Sequence, residues 1–108
     1  MIHRSAIFFV ILIAVISLAM LAHGSVMVPA PPAQYDHPFA GRVNVIGMST
    51  MAARNACQRR GAGRSDACSW VKRNVCNIII GDTLPVPRAD VIRHEIAACN
   101  EPVGRHWH

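Results

Sequence analysis

Four cysteines are the feature that most limits what this chain can fold into. They lie close together in the second half of a 108-residue sequence, in a segment too short to bury a large core. An even number of cysteines in such a segment is typical of a disulfide-held domain in an oxidising compartment. A four-cysteine zinc site would need C-x₂-C pairs, and the spacings contain none. The sequence therefore predicts two disulfides made by Cys57, Cys68, Cys76 and Cys99.

The N-terminal segment predicts export. Residues 6–22 are apolar apart from Ser17 and carry no charge, a short basic stretch precedes them, and Ala22-His23-Gly24 fits a signal-peptidase site. We expect cleavage after Gly24, which makes residues 1–24 a signal peptide. The alternative is that residues 6–22 stay in the membrane as an anchor, because their length is at the short limit of a bilayer span. Both alternatives place the rest of the chain outside the cytoplasm, either periplasmic or secreted, and the second one attaches it to the membrane.

After the signal, the chain divides into a linker and one domain. Prolines keep residues 25–42 extended, so we interpret this stretch as a linker. The folded domain is expected over residues 43–108. A domain of this size usually depends on disulfides or a metal ion for its stability.

The pattern within this domain predicts a small α+β fold made of a helix, a β-hairpin and a second helix. Ser49 or Thr50 can cap the first helix, and Gly61 can end it in a left-handed turn. Two short strand-like runs with a three-residue connection follow and are typical of a hairpin. Helices are expected over 51–60 and 87–99, and strands over 67–71 and 75–80.

Two disulfide pairings are compatible with this arrangement. The preferred one joins the helices through Cys57 and Cys99 and the hairpin arms through Cys68 and Cys76. The alternative joins Cys57 to Cys68 and Cys76 to Cys99. The sequence leaves both open, because four cysteines allow three pairings.

A cluster of arginines lies at the end of the first predicted helix. Arg54, Arg59, Arg60 and Arg64 could bind phosphate or anionic lipid, although a solvated helix face is the simpler interpretation. Nucleic acid is not an expected partner, because the chain has few aromatic residues and is predicted to be exported. The sequence makes no prediction about oligomeric state.

The second predicted helix contains a motif that carries chemistry. Residues 93–100 read R-H-E-I-A-A-C-N and resemble the H-E-x-x-H helix of zinc metallopeptidases. More narrowly, the second half of the chain is similar to small exported bacterial proteins whose C-terminal segment reads R-H-E-[IL]-[AG]-H-C-N-G-W-x-x-x-H. The resemblance implies zinc as cofactor and a peptide or protein as substrate.

Individual residues match this motif unequally. By position, the resemblance implies His94 as the first zinc ligand, Glu95 as the general base and His106 as the third ligand. Ala98 stands where the motif has its second histidine, and a methyl group cannot bind zinc. His108 is a further candidate ligand if the tail folds back over the helix.

The motif also differs at its C-terminal side. Glu101 and Pro102 replace the Gly-Trp pair, and Arg105 replaces an aspartate that could orient the final histidine. The resulting hypothesis is an exported zinc-metallopeptidase-like domain with an incomplete motif and weak or no activity. The alternative is a noncatalytic, disulfide-stabilised binding or assembly protein of the cell envelope or periplasm.

Overall fold

A three-stranded sheet between two helices forms the described part of the chain, residues 28–102 of the computed structural model. The α+β class, both predicted helices and the hairpin are confirmed. The predicted signal or anchor, 1–24, and the tail with His106 and His108 lie outside the described residues. No helix between residues 28 and 102 has the length and apolar character needed to cross a membrane. The elements in chain order are β1 Arg42–Met48, α1 Thr50–Arg59, β2 Ala67–Lys72, β3 Val75–Gly81 and α2 Arg88–Asn100.

Helix α1 begins and ends at the residues that the sequence indicates. The Ser49 hydroxyl accepts a hydrogen bond from the Ala52 backbone N–H at 3.2 Å, which satisfies one free donor of the first turn. At the other end, Gly61 has a φ of +81°. The N–H of Ala62 donates to the carbonyl of Cys57 at 3.0 Å, which completes a Schellman termination.

The β2–β3 hairpin has a shorter turn than the three-residue connection that the sequence predicted. Arg73 and Asn74 form a two-residue turn with φ values of 52° and 60°, the combination found in type I′ turns. Lys72 therefore still belongs to β2 and pairs with Val75. This change of one residue shifts the register and decides which side chains share a face of the sheet.

The strand β1 was missed in the sequence. It pairs in parallel with β3, which places β3 in the centre of the order β1-β3-β2. At its first residue, the Arg42 N–H donates to the Asn74 carbonyl at 3.2 Å. Gly41 lies so close to this turn that a Cβ atom there would overlap the backbone oxygen of Asn74. Glycine is therefore required where the chain enters the sheet.

The helices cover opposite faces of the sheet, and one disulfide joins each helix to its face. Ile79 packs with Ala53 of α1, whereas its neighbour Ile78 packs with Cys99 of α2. Successive residues of a strand point to opposite faces, so the two helices lie on opposite sides. The disulfides are Cys57–Cys68 and Cys76–Cys99, each with a Cα–Cα distance of 5.8 Å.

The preferred disulfide pairing was therefore wrong, and the alternative is confirmed. In the observed register, Cys68 pairs with Ile79 and Cys76 pairs with Val71. Residues that pair directly point to the same face, so the two hairpin cysteines point to opposite faces. A bond between Cys68 and Cys76 would have to cross the sheet, and so would one between the two helices.

The described part of the predicted linker, residues 28–42, contacts α2. The Arg93 guanidinium holds both carboxylate oxygens of Asp36, with Nε 2.8 Å from Oδ1. The Asn100 side-chain amide donates to the carbonyls of Tyr35 and His37 at 2.9 and 2.7 Å. Phe39 packs against the core on the α2 side of the sheet. The hydrogen bond from Arg93 lowers the pKa of Asp36 below its ordinary value.

Candidate functional site

A pocket of about 430 Å³ lies where α2 meets the start of β2. Helix α2 and strand β2 form two walls of this pocket, and the loop 61–66, which joins α1 to β2, forms the third. The side chains around it are small, apart from two on α2. The lining residues are Gly61, Ala62, Ser65, Ala67, Cys68, Ser69, His94 and Glu95.

His94 and Glu95, the first ligand and general base implied by the resemblance, both lie on the wall of this pocket. Glu95 is only 4% exposed, the one buried charged residue among residues 28–102. The Ser69 hydroxyl donates to the Glu95 backbone carbonyl at 3.2 Å and so connects α2 to β2 at this point. The structure therefore brings the His-Glu pair and the edge strand of the sheet to a common concave site.

Ala98 occupies the next turn of α2, on the same side as His94. Residues four apart on a helix share a face, so Ala98 is where a second histidine ligand would stand. It is 6% exposed. Among residues 28–102, no three His, Cys, Asp or Glu side chains are arranged to hold one metal ion. The described residues alone do not fit a zinc site.

The predicted arginine cluster makes contacts within the domain that fix the loop 61–66. Arg54 pairs with Asp66 at 2.7 Å, and Arg64 donates to Asn55 at 3.0 Å. Both contacts connect α1 to the loop that forms one wall of the pocket. A partly exposed ion pair such as Arg54–Asp66 and an exposed hydrogen bond such as Arg64–Asn55 contribute little stability, so their effect here is mainly to position the loop.

Arg60, the next member of the cluster, lies over the indole ring of Trp70. Its guanidinium carbon is 3.3 Å from the ring centroid. Arginine favours this stacking on the face of an aromatic ring. The contact joins the end of α1 to β2 on the face opposite α2.

The four cysteines are all oxidised and none is free. Cys68 lines the pocket, but its sulfur is bonded to that of Cys57. The cysteines therefore serve as structural links rather than as metal ligands or nucleophiles. Two disulfides are consistent with an oxidising location outside the cytoplasm.

Ser69 and the loop residues of the pocket were missed in the sequence. Ser69 lies 25 residues before His94 along the chain, and only packing of α2 on β2 brings them together. No local motif indicates this contact. Comparison of the chain with known protein families, with curated proteins and with solved structures finds no match. The resemblance to small exported metallopeptidase-like proteins therefore stays a prediction from the sequence of the second half of the chain.

Proposed function

We propose that this chain is an exported, disulfide-held domain that binds an extended segment of peptide or protein in the pocket beside α2, without metal-dependent hydrolysis. The observation that carries the proposal is the composition of the pocket wall. His94 and Glu95 are present on it, while Ala98 offers no ligand atom at the second metal-binding position. The site thus keeps the concave shape and polar groups of the motif and lacks part of its metal-binding set.

The edge strand supports an extended ligand. Within residues 28–102, β2 pairs with β3 on one side only, and its first residues line the pocket. An exposed strand edge can pair with an added peptide strand through backbone hydrogen bonds. The small side chains of Ala62 and Ala67 leave room for such a strand, and His94 and Glu95 supply side-chain groups that can orient it.

The test is peptide binding by a protein whose pocket is blocked. We expect an array of unstructured peptides to bind the native protein, and this binding to persist in EDTA. Ala62→Trp should fill the pocket and abolish binding. Ala52→Trp is the matched control, because Ala52 is exposed on α1 and does not line the pocket. Equal binding by both variants would refute the pocket as the binding site.

A second candidate function is a working metallopeptidase, and the burial of Glu95 beside His94 favours it. A buried carboxylate next to a metal ligand is the arrangement that a general base needs. Metal analysis of the purified protein and peptide hydrolysis with Glu95→Gln as control separate the two functions. EDTA-sensitive hydrolysis that Glu95→Gln abolishes would replace the binding proposal by the catalytic one.

Export has its own test. The mass of the protein recovered outside the cytoplasm should correspond to a chain that begins at Ser25. A full-length chain in the membrane fraction would favour the anchor, and the pocket would then act at the membrane surface.

A further inference from the structure

Three cations from two separate stretches of the sequence meet at one end of the sheet. Arg42 begins β1, Lys72 ends β2, and Arg73 lies in the turn that follows. The register aligns Arg42, Val75 and Lys72 in one row across the three strands. All three cations are exposed. We call this end of the domain, formed by Arg42, Lys72 and Arg73, the basic end.

A wide hollow of about 640 Å³ opens on the sheet face at the basic end, beyond the part that α1 covers. Asn44 and Asn77 lie in it, joined by a hydrogen bond of 3.2 Å between their side chains. None of the six acidic residues of the chain lines this hollow. Its charged groups are therefore all positive.

The next row of the sheet adds exposed apolar groups to the same end. Val43 and Val71 both pair with Cys76, one from each side, and they are 41% and 46% exposed. The two valines lie on the opposite face of the sheet from Arg42 and Lys72. Arg42 and Lys72 on one face and the two valines on the other thus flank the exposed turn at Arg73 and Asn74.

We propose that the basic end docks on an anionic lipid bilayer, with the cations against lipid phosphates and the valines against the headgroup region. The shape favours a surface over a small soluble anion, because the hollow is open and the cations project around a turn rather than enclosing a cavity. Charge complementarity favours a negatively charged partner. An exported chain with an apolar N-terminal segment encounters such a surface during translocation.

Vesicle binding with charge-matched variants tests the proposal. The exported protein is partitioned onto vesicles of phosphatidylcholine alone or with about 30% phosphatidylglycerol, and the ratio of the two affinities reports the electrostatic part of binding. If residues 6–22 are not cleaved, their apolar side chains contribute equally to binding of both kinds of vesicle, and this contribution cancels in the ratio. We expect preference for the anionic vesicles, weakened by salt.

The decisive comparison is between two double variants that each remove two positive charges. Lys72→Gln with Arg73→Asn should lower the ratio of anionic to neutral vesicle affinity roughly 30-fold. This estimate assigns about 1 kcal/mol of binding free energy to each cation at the membrane surface. Asparagine tolerates the positive φ at position 73. Arg64 precedes the start of β2 and Arg88 follows the end of β3, so both lie away from the basic end. Arg64→Gln with Arg88→Gln should therefore leave the ratio nearly unchanged.

Three outcomes would overturn the proposal. An equal loss in both double variants would make the binding a property of net charge rather than of the basic end. No preference for anionic vesicles would remove the membrane as partner. Tight binding of a single-stranded oligonucleotide that abolishes vesicle binding in competition would assign the basic end to a soluble polyanion instead.

Discussion

Separate removal of the two disulfides should loosen one helix each. The perturbations are Cys57→Ala with Cys68→Ala, and Cys76→Ala with Cys99→Ala. The bonds span 11 and 23 residues along the chain. In the chain-entropy description, closing loops of this size contributes about 2.8 and about 3.4 kcal/mol to the free energy of unfolding.

These contributions are large for so small a domain. The free energy of unfolding of a domain is on the order of 0.1 kcal/mol per residue. Losing either disulfide therefore leaves a marginally stable fold, and losing both leaves little net stability. Each removal should lower the melting temperature by on the order of 10–25 °C. Because all four cysteines are bonded, a reductant should act like the combined variant. EDTA should have a much smaller effect than the reductant.

Thermal melts measure the loss of stability in each variant, and amide hydrogen exchange shows which helix loses protection. Without Cys57–Cys68, exchange should rise more in α1 than in α2; without Cys76–Cys99, it should rise more in α2 than in α1. The reasoning is refuted if exchange rises equally in both helices, or if EDTA destabilises the protein more than the reductant does. Peptide mapping under non-reducing conditions must also yield the two local pairs, since a Cys57–Cys99 peptide would contradict the fold.

Three further predictions follow from particular contacts. Gly41→Ala should lower the free energy of unfolding by about 1–3 kcal/mol in urea titrations, because the added methyl overlaps backbone, whereas Gly47→Ala has open space around it and should be close to neutral. Ala98→His should raise zinc affinity at least about tenfold by calorimetry, because it restores the spacing of four residues to His94. Asp36→Asn should lower the free energy of unfolding at pH values above 3.8, the ordinary pKa of the carboxyl group. Below the lowered pKa of Asp36 the substitution should make no difference, because the carboxylate of the native protein is then protonated and its ion pair with Arg93 is lost as well.

Each of these predictions has a result that would contradict it. Equal stability of the two glycine variants would mean that the chain enters the sheet differently. Unchanged zinc affinity in a folded Ala98→His protein would show that this face of α2 is not a metal site. A stability difference between Asp36→Asn and the native protein that persists in strong acid would assign the effect to something other than the ion pair with Arg93.

Local signals in the sequence were sufficient for the helices. Ser49 and Gly61 indicate both ends of α1 because capping depends on a few neighbouring residues. The strand β1 could not be placed in the same way, since a parallel strand pairs with residues far along the chain. The alternation of polar and apolar residues over 42–45 was the available signal, and it ends at Ile46.

The disulfide pairing depended on a single residue of the hairpin turn. A three-residue connection would place Cys68 and Cys76 on one face, whereas the two-residue turn at Arg73 and Asn74 places them on opposite faces. Similarly, the motif in α2 indicated His94 and Glu95, but the other walls of the pocket result from tertiary packing. Turn length and packing are the two properties that local patterns in this chain left undetermined.

The order of the disulfides along the chain has a consequence for biogenesis. Cys57 bonds the next cysteine, and Cys76 bonds the one after it, so the two covalent loops follow one another without overlapping. For a chain that enters an oxidising compartment from its N-terminus, the first two thiols to arrive are native partners, and they can be oxidised before the third appears. In such a chain, simple sequential oxidation yields the native bonds without disulfide exchange.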